Sequence, residues 1–403
     1  MAKFKKILLG DMGLIPKPQT SSNLSITDFP FQKPMAQPNY INDLEVIDRM
    51  PVSGTYGIKS IASYDKYIQV KLYNQVGEIT GKIWENKQTQ KPIIDELSTA
   101  QALVLSGVYN EYPANSGNMS INLYDYHSLD LNAVSNTELI VKSIYDQNHL
   151  DNLLSELKFY LSLMTPDHQE TAIELLDLVW DQFIIAPAAL GHHHNYINGL
   201  FEHTIEVMRV FHYLATKSNT EMIESVLEIQ NLQTQCYIED LSDKINSGKY
   251  VRSGMADDNA HYDWFIKQSV HLNDSNPNLS LGLFATLFHD MAKIVEYAYP
   301  NDDKKKSYQQ FLNLDHDAEK TITLRSDPIG SIYGHIYMSS QFLINQNSKI
   351  THKLSVSDII TAQSYILSHH GLPEWGAICK PIDTTALLIH MADFIDSRFA
   401  SEM

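Results

Sequence analysis

Two rhythms of hydrophobic and polar residues divide this chain. From Gly54 onward apolar residues alternate with polar ones: in Tyr67-Ile68-Gln69-Val70-Lys71-Leu72-Tyr73, Ile68, Val70 and Leu72 share one face and Tyr67, Lys71 and Tyr73 the other. Asn74-Gln75-Val76-Gly77 supplies turn chemistry, and Ile79 to Trp84 repeats the alternation with Thr80, Lys82 and Trp84 together, which predicts a hairpin. Strands are also predicted at Ala102–Tyr109 and Met119–Tyr126, with a short helix near Pro92–Thr99 between the hairpin and the first of them. Four or more strands and one interposed helix suit a small closed barrel of the oligonucleotide-binding type, over residues 51–130.

Beyond about Leu131 the alternation stops, and a linker is expected near 127–147. Asn148 to Met164 carries Leu150, Leu153, Leu154, Leu157, Tyr160 and Leu161 at helical spacing. Further helices are predicted near 168–184, 198–216, 219–245, 279–297, 330–345, 356–369 and 383–400, so residues 148–403 read as an all-α module. The predicted fold class is multidomain α+β, a barrel followed by a helical bundle. Residues 1–50, with Pro16, Pro18, Pro30, Pro34 and Pro38, read as an irregular lead-in, and the Gly-, Ser-, Asn- and Asp-rich stretch 246–277 as a solvated loop or insertion near the site entrance.

Charge sharpens this division. The 403 residues carry 30 Lys and Arg against 48 Asp and Glu, net −18. Through residue 130 there are 12 basic and 13 acidic side chains, leaving 18 and 35 for the rest, a net of −17 there. Such a balance argues against a basic protein that coats duplex nucleic acid; clustered carboxylates are ordinarily a solvated surface, and they also raise cation concentration near a metal site. Two cysteines, Cys236 and Cys379, are too few for a disulfide framework and fit a cytoplasmic setting. The apolar run near the N-terminus is too short for a signal peptide, and no stretch approaches a membrane span. A homo-oligomer is compatible with this surface, which neither requires nor excludes one.

The outer face of the predicted hairpin, Tyr67, Lys71, Tyr73, Lys82 and Trp84, suits base stacking and phosphate contact with a single strand. Ordinary cross-strand packing would produce the same pattern. In the α module, His289-Asp290 closes the apolar run Leu281–Phe288 and precedes Lys293. A buried imidazole beside a carboxylate is costly unless both are paired or hold metal. His203 opens one predicted helix, His335 another, His369-His370 closes the next before Gly371, and Asp393 stands on an apolar helix with His390 one turn earlier. Each alone reads as a satisfied structural residue. Together, in the order His, His-Asp, His, His-His, Asp at successive helix ends, they favour a metal-centred site.

That order is similar to the HD-domain superfamily of metal-dependent phosphohydrolases. The segments His193-His194-Asn195-Tyr196-Ile197-Asn198-Gly199-Leu200-Phe201-Glu202-His203, His289-Asp290-Met291-Ala292-Lys293, Gly334-His335-Ile336 and Ser368-His369-His370-Gly371-Leu372-Pro373-Glu374-Trp375-Gly376 more closely resemble the YhaM-type 3′-5′ exoribonucleases. Two departures stand out. The spacing of 86 residues from His203 to His289 exceeds the family's, and Asn198 occupies a position where the family usually has a second glycine.

The resemblance implies that His203, His289, Asp290 and Asp393 hold one divalent cation, with Asp290 bridging to a second held by His335 and one of His369 or His370. Mn²⁺ is the leading candidate and Mg²⁺ or Fe²⁺ the alternatives, for a mixed imidazole–carboxylate shell. Asp290 and Lys293 are the implied catalytic residues, Lys293 offsetting charge on the phosphate; His194, Glu202 and His390 are candidates for orienting a ligand imidazole or for plain structure. The implied activity is 3′-5′ hydrolysis of single-stranded RNA or DNA by a metal-activated water. Two alternatives are an HD-type phosphohydrolase of a cyclic or free nucleotide and a catalytically silent nucleic-acid-binding module. Against a cyclic dinucleotide, Gly371-Leu372-Pro373 stands where that branch has Gly-Tyr-Pro.

Overall fold

The computed structural model describes residues 15–18, 31, 33–34, 48–74, 77–100, 102–114, 118–129, 134, 139, 146–190, 193–246, 255–271, 276–299, 304–316 and 324–399. Five strands come first: β1 (Pro51–Ser63), β2 (Tyr67–Asn74), β3 (Gly77–Trp84), then α1 (Gln90–Thr99), β4 (Ala102–Glu111) and β5 (Met119–Ser128). They close into a barrel in the order β1-β2-β3-β5-β4, with β1 also paired to β4. Only the β3–β5 pairing is parallel. The alternation read from β2 holds: Ile68, Val70 and Leu72 are fully buried, and Tyr67 pairs with Trp84 across the hairpin. The expected small closed barrel with one interposed helix is observed, and β1 is a fifth strand ahead of the four segments read from the alternation, so the helix falls between the third and fourth strands.

The helices follow as α2 (Gln147–Ser162), α3 (Pro166–Asp177), α4 (Trp180–Phe183), α5 (Gly199–Ala215), α6 (Asn219–Asn246), α7 (Met255–His271), α8 (Leu279–Phe288) and α9 (Lys293–Glu296). After the two-residue strand β6 (Tyr297–Ala298) come α10 (Lys304–Leu312), β7 (Arg325–Ser326), α11 (Pro328–Asn347), α12 (Val356–Ser368) and α13 (Thr384–Phe399). One continuous apolar core joins α2, α3, α5, α8, α12 and α13. Helix starts are set by side chains: Asp146 accepts from the His149 amide, Asn278 from Leu281, Asp327 from Ile329 and Ser355 from Asp358. No helix among the described residues is long and apolar enough to cross a membrane.

Three expectations are corrected. The stretch expected as a solvated loop contains α7, because Tyr262 and Phe265 lie at helical spacing among its polar residues and are buried in the core. Asp258 on the same helix is buried against Gln233, Tyr237 and Arg398 rather than solvated. The single helix expected over 279–297 breaks after Phe288, where a turn, α9 and β6 follow, and β6 pairs with β7 so that the module is not wholly helical. Most of the lead-in lies outside the described residues, but Ile15 is fully buried in the helical core and Phe31 stacks on Trp180 at 4.8 Å. Much of 127–147 also lies outside them, while Val134 and Leu139 pack with Ala102.

Candidate metal centre

Helix α8 runs through the middle of the helical core, with every residue from Leu281 to Phe288 buried. At its end the chain turns, which puts His289 and Asp290 on the buried tip rather than on a helix face. Helices α5, α11, α12 and α13 deliver the other candidates to the same point. His203 comes from the first turns of α5, His335 from just after a break in α11 where Gly334 has φ 69°, His369 and His370 from the end of α12, and Asp393 from the middle of α13. The residues expected at successive helix ends form one cluster, although Asp393 lies mid-helix and His335 within α11.

The predicted donors fall into two sets, while a third close group, His194, His203 and Asp396, is joined by hydrogen bonds on the Nδ1 side of His203. In the first, His203, His289, Asp290 and Asp393 each offer an atom within 4.8 Å of the others; in the second, His335, His369 and His370 do the same. Asp290 joins them through its two oxygens. Its Oδ2 is 3.2 Å from His203 Nε2 and 3.5 Å from His289 Nε2, whereas Oδ1 is 3.2 Å from His335 Nε2 and 3.6 Å from His369 Nε2. Asp393 Oδ1 completes the first set, 3.3 Å from His203 Nε2 and 3.7 Å from His289 Nε2. These are the separations expected between donors each about 2.1 Å from a shared ion.

The far nitrogen of each ring explains why the near ones converge. Nδ1 of His203 meets Asp396 Oδ2 at 2.6 Å, that of His289 the Thr286 carbonyl at 2.7 Å, that of His335 Glu296 Oε2 at 3.0 Å and that of His369 the Ile366 carbonyl at 2.7 Å. Carboxylates and carbonyls only accept, so each Nδ1 carries its hydrogen and Nε2 is the ring atom turned inward. His203 and His289 thereby bring Nε2 atoms to 3.2 Å of one another. In the second set Asp290 Oδ1, His335 Nε2 and His369 Nε2 are buried and make no hydrogen bond at all. A cation between them would relieve an arrangement that is otherwise strongly unfavourable, so the residues present fit divalent metal.

Electrostatics agree. Burial alone would raise the Asp290 carboxyl, but Lys293, His289 and His335 hold it well below the usual carboxylate range. Asp393 is likewise depressed against its burial by His203 and His289. Burial pushes His369 and His370 down, keeping both neutral as ligation requires. His203 differs: hydrogen bonds with Asp290, Asp393 and Asp396 outweigh its burial and raise it well above the ordinary value, so this set attracts positive charge. Lys293 is buried, with Nζ 2.5 Å from Asp290 Oδ2. Burial lowers its affinity for a proton, and Asp290 more than restores it.

Three further candidates have distinct places. His194 contacts Asp396 and Tyr196, and Glu202 accepts from Tyr196. His390 touches no ligand ring nitrogen; its Nδ1 bonds the His369 carbonyl at 2.9 Å, and its ring lies against Gly371, whose φ of 86° and crowded α-carbon admit no side chain. Asp396 and Glu296, which hold His203 and His335, were not singled out from the sequence. Their signals were there: Asp396 lies three residues beyond Asp393 on one apolar helix, and Glu296 three beyond Lys293. The departure at Asn198 also has a reason, since its φ of 70° is left-handed, a conformation that asparagine tolerates among non-glycine residues.

On the barrel, Tyr67 packs at 5.4 Å against Trp84, Tyr64 stacks on Tyr67 at 4.8 Å, and Lys82 Nζ lies 5.8 Å from the Tyr67 ring. Trp84 is 55% exposed and anchored through Nε1 to Asn122. Lys71 is exposed on the same face of β2. Tyr73 stands apart, six residues along β2 or roughly 20 Å, opposite Glu78 and packed beside Ala102 and Val134. Tyr64 takes its place in the aromatic group.

Comparison with known proteins gives a consistent picture. Proteins named 3′-5′ exoribonuclease YhaM are similar to this chain: that of Listeria monocytogenes serotype 4b is 21% identical over 344 residues, covering 84% of this chain and 82% of its own. Those of Listeria innocua and Listeria welshimeri are 21% identical over 346 residues with the same coverage. No family model matches the chain. A solved structure of asparaginyl-tRNA synthetase from Pyrococcus horikoshii, complexed with asparaginyl-adenylate, overlaps 39% of each chain at 10% identity and a TM-score of 0.19, too low to bear on the fold. The resemblance to YhaM-type proteins read from the motifs therefore extends over most of the chain.

Proposed function

We propose that this YhaM-like chain is a cytoplasmic, metal-dependent 3′-5′ exonuclease of single-stranded RNA or DNA, with an HD-type α module that cleaves terminal phosphodiesters and a barrel that holds the strand. The observation that carries this reading is the divided Asp290 carboxylate, one oxygen in each donor set. His203, His289, Asp290 and Asp393 would hold one ion, and Asp290, His335, His369 and His370 a second, with Mn²⁺ favoured over Mg²⁺ or Fe²⁺. When bound, such ions polarise the phosphate and lower the pKa of a shared water from about 16 towards neutrality.

The chain's own residues do the rest. Asp290 fixes the two sets in register, and the anchored imidazoles hold their lone pairs in place without reorganisation. Lys293, a permanent cation beside Asp290, offsets charge gathering on the non-bridging phosphate oxygens. Tyr64, Tyr67 and Trp84 offer π-faces to successive bases, with Lys82 and Lys71 near the phosphates.

Asp290→Ala tests the whole scheme. Hydrolysis of a 3′-end-labelled single-stranded oligonucleotide in Mn²⁺ buffer should fall by about 10³-fold or more while the helical circular dichroism is retained. An unchanged rate would sink the metal mechanism. Turnover of free or cyclic nucleotides without turnover of oligonucleotides would transfer the site to the phosphohydrolase reading, and activity on neither would leave a silent binding module.

A further inference from the structure

His289 and His369 are anchored by carbonyls three residues earlier in their own chain, and His335 by one glutamate. His203 is anchored differently. Its Nδ1 meets Asp396 Oδ2 at 2.6 Å, and the same oxygen is 3.0 Å from His194 Nε2. His194 Nδ1 is 2.8 Å from the Tyr196 hydroxyl, which donates to Glu202 Oε2 at 2.7 Å. Glu202 Oε1 is in turn 3.1 Å from His149 Nε2, near the protein surface.

Asp396, His194, Tyr196 and Glu202 are all at most 2% exposed. Because Glu202 and His203 are consecutive in α5, the hydrogen bonds leave α5 at His203, pass through α13 and the 193–198 turn, and return to α5 one residue earlier. The turn reaches this position only because residue 199 is glycine: a Cβ there would lie 2.0 Å from the His194 carbonyl oxygen. A ring of four buried polar side chains drawn from three segments is an expensive way to fix loop packing, which apolar contacts would do without desolvation. It is an effective way to hold one imidazole at a fixed angle and tautomer.

We propose that Asp396, His194, Tyr196 and Glu202 form a closed positioning ring for His203 that sets how tightly the first metal position is held. This rests on the metal reading above. None of the four enters the donor set of His203, His289, Asp290 and Asp393, and the close group of His194, His203 and Asp396 is joined by hydrogen bonds on the Nδ1 side of His203, so they act through His203 and not on substrate.

Calorimetric titration of the metal-free full-length protein with Mn²⁺ tests the ring, using Asp396→Asn and Tyr196→Phe beside wild type. Tyr196→Phe cuts the ring opposite His203 and removes one oxygen atom only. The Asp396→Asn variant should bind Mn²⁺ about 10- to 100-fold more weakly, and Tyr196→Phe weaken it by a smaller factor, of about 3 or more. A purely structural ring would lower the melting temperature of the metal-free protein and leave the Mn²⁺ dissociation constants at the wild-type value; that result overturns the proposal. If Asp396→Asn does not fold, Tyr196→Phe decides alone on the same criterion. Wild-type protein that takes up no divalent cation would overturn the metal reading itself, and this proposal with it.

Discussion

The barrel and the α module solve opposite problems. In the barrel the buried residues are almost all apolar, with Gln90 and Ser120 the polar exceptions among the described residues of 51–129, and both are hydrogen-bonded. Its candidate chemistry lies on the outside, as exposed aromatics and lysines. The α module buries His203, His289, Asp290, His369 and Glu202 in the middle of its largest apolar cluster. Every buried polar side-chain atom left without a hydrogen bond, among the described residues, belongs to this module. A surface that binds can be added to a finished core, whereas a site that excludes water has to be built into one, and its polar atoms then depend on partners from every side.

The largest consequence of that dependence concerns a pair away from the candidate metal centre. Arg209 on α5 makes a bidentate contact with Glu156 on α2, Nε and Nη2 each 2.8 Å from a carboxylate oxygen, and both residues are 4% exposed. Removing one partner strands a buried charge, so Arg209→Ala should destabilise the α module by about 3–5 kcal/mol in denaturant unfolding. The double replacement Glu156→Met with Arg209→Leu should recover most of that loss. If Arg209→Ala costs no more than an exposed substitution, the buried polar network is not what distinguishes the two regions.

The next effect is on the barrel's outer face. Trp84→Ala should weaken binding of a single-stranded oligonucleotide by about 1–3 kcal/mol in a fluorescence titration, with barrel stability little changed because the indole is 55% exposed. Tyr73→Ala, on the far part of the same strand face, should leave affinity near wild type. Equal losses from the two would mean that the strand path runs along β2 rather than across the Tyr64–Tyr67–Trp84 group.

The same contrast decides what the sequence could reveal. Alternation in β2 and β3 predicted both the hairpin and which side chains face outward, because in a barrel a period of two fixes the face directly. It could not say that Tyr73 and Tyr67 are too far apart to act together, which depends on distance along the strand. In the α module the donor residues were legible as polar breaks in apolar helices. Their anchors were not, since Asp396 and Glu296 look like ordinary helical acids until the packing of α13 on α5 and of α9 on α11 brings them to the imidazoles. Helix α7 was hidden for a related reason: Tyr262 and Phe265 are too few among polar neighbours to outweigh the surrounding turn-forming residues.

Helix α7 carries the smallest predicted effect, and it again separates the regions. His261 is sandwiched between Trp375 at 3.7 Å and Phe394 at 4.2 Å, with Nδ1 buried and unpartnered. Burial, helped by His390 and Arg398, depresses it to about 3. Above pH 6.5 the imidazole is neutral in both folded and unfolded chains and contributes nothing to pH dependence. Between 6.5 and about 3 the unfolded chain takes up a proton that the folded one refuses, so stability falls as the pH falls, with a slope of at most one proton from this one group. His390, depressed by its burial to about 4, adds a similar decline down to that value. The barrel buries no imidazole among its described residues. His261→Phe preserves the stack and removes the titrating group, so urea unfolding of the α module at pH values from 4.5 to 6 should lose the slope of about one proton, with little change at pH 7.5. A slope identical to wild type would show that the imidazole accepts its proton without leaving the stack.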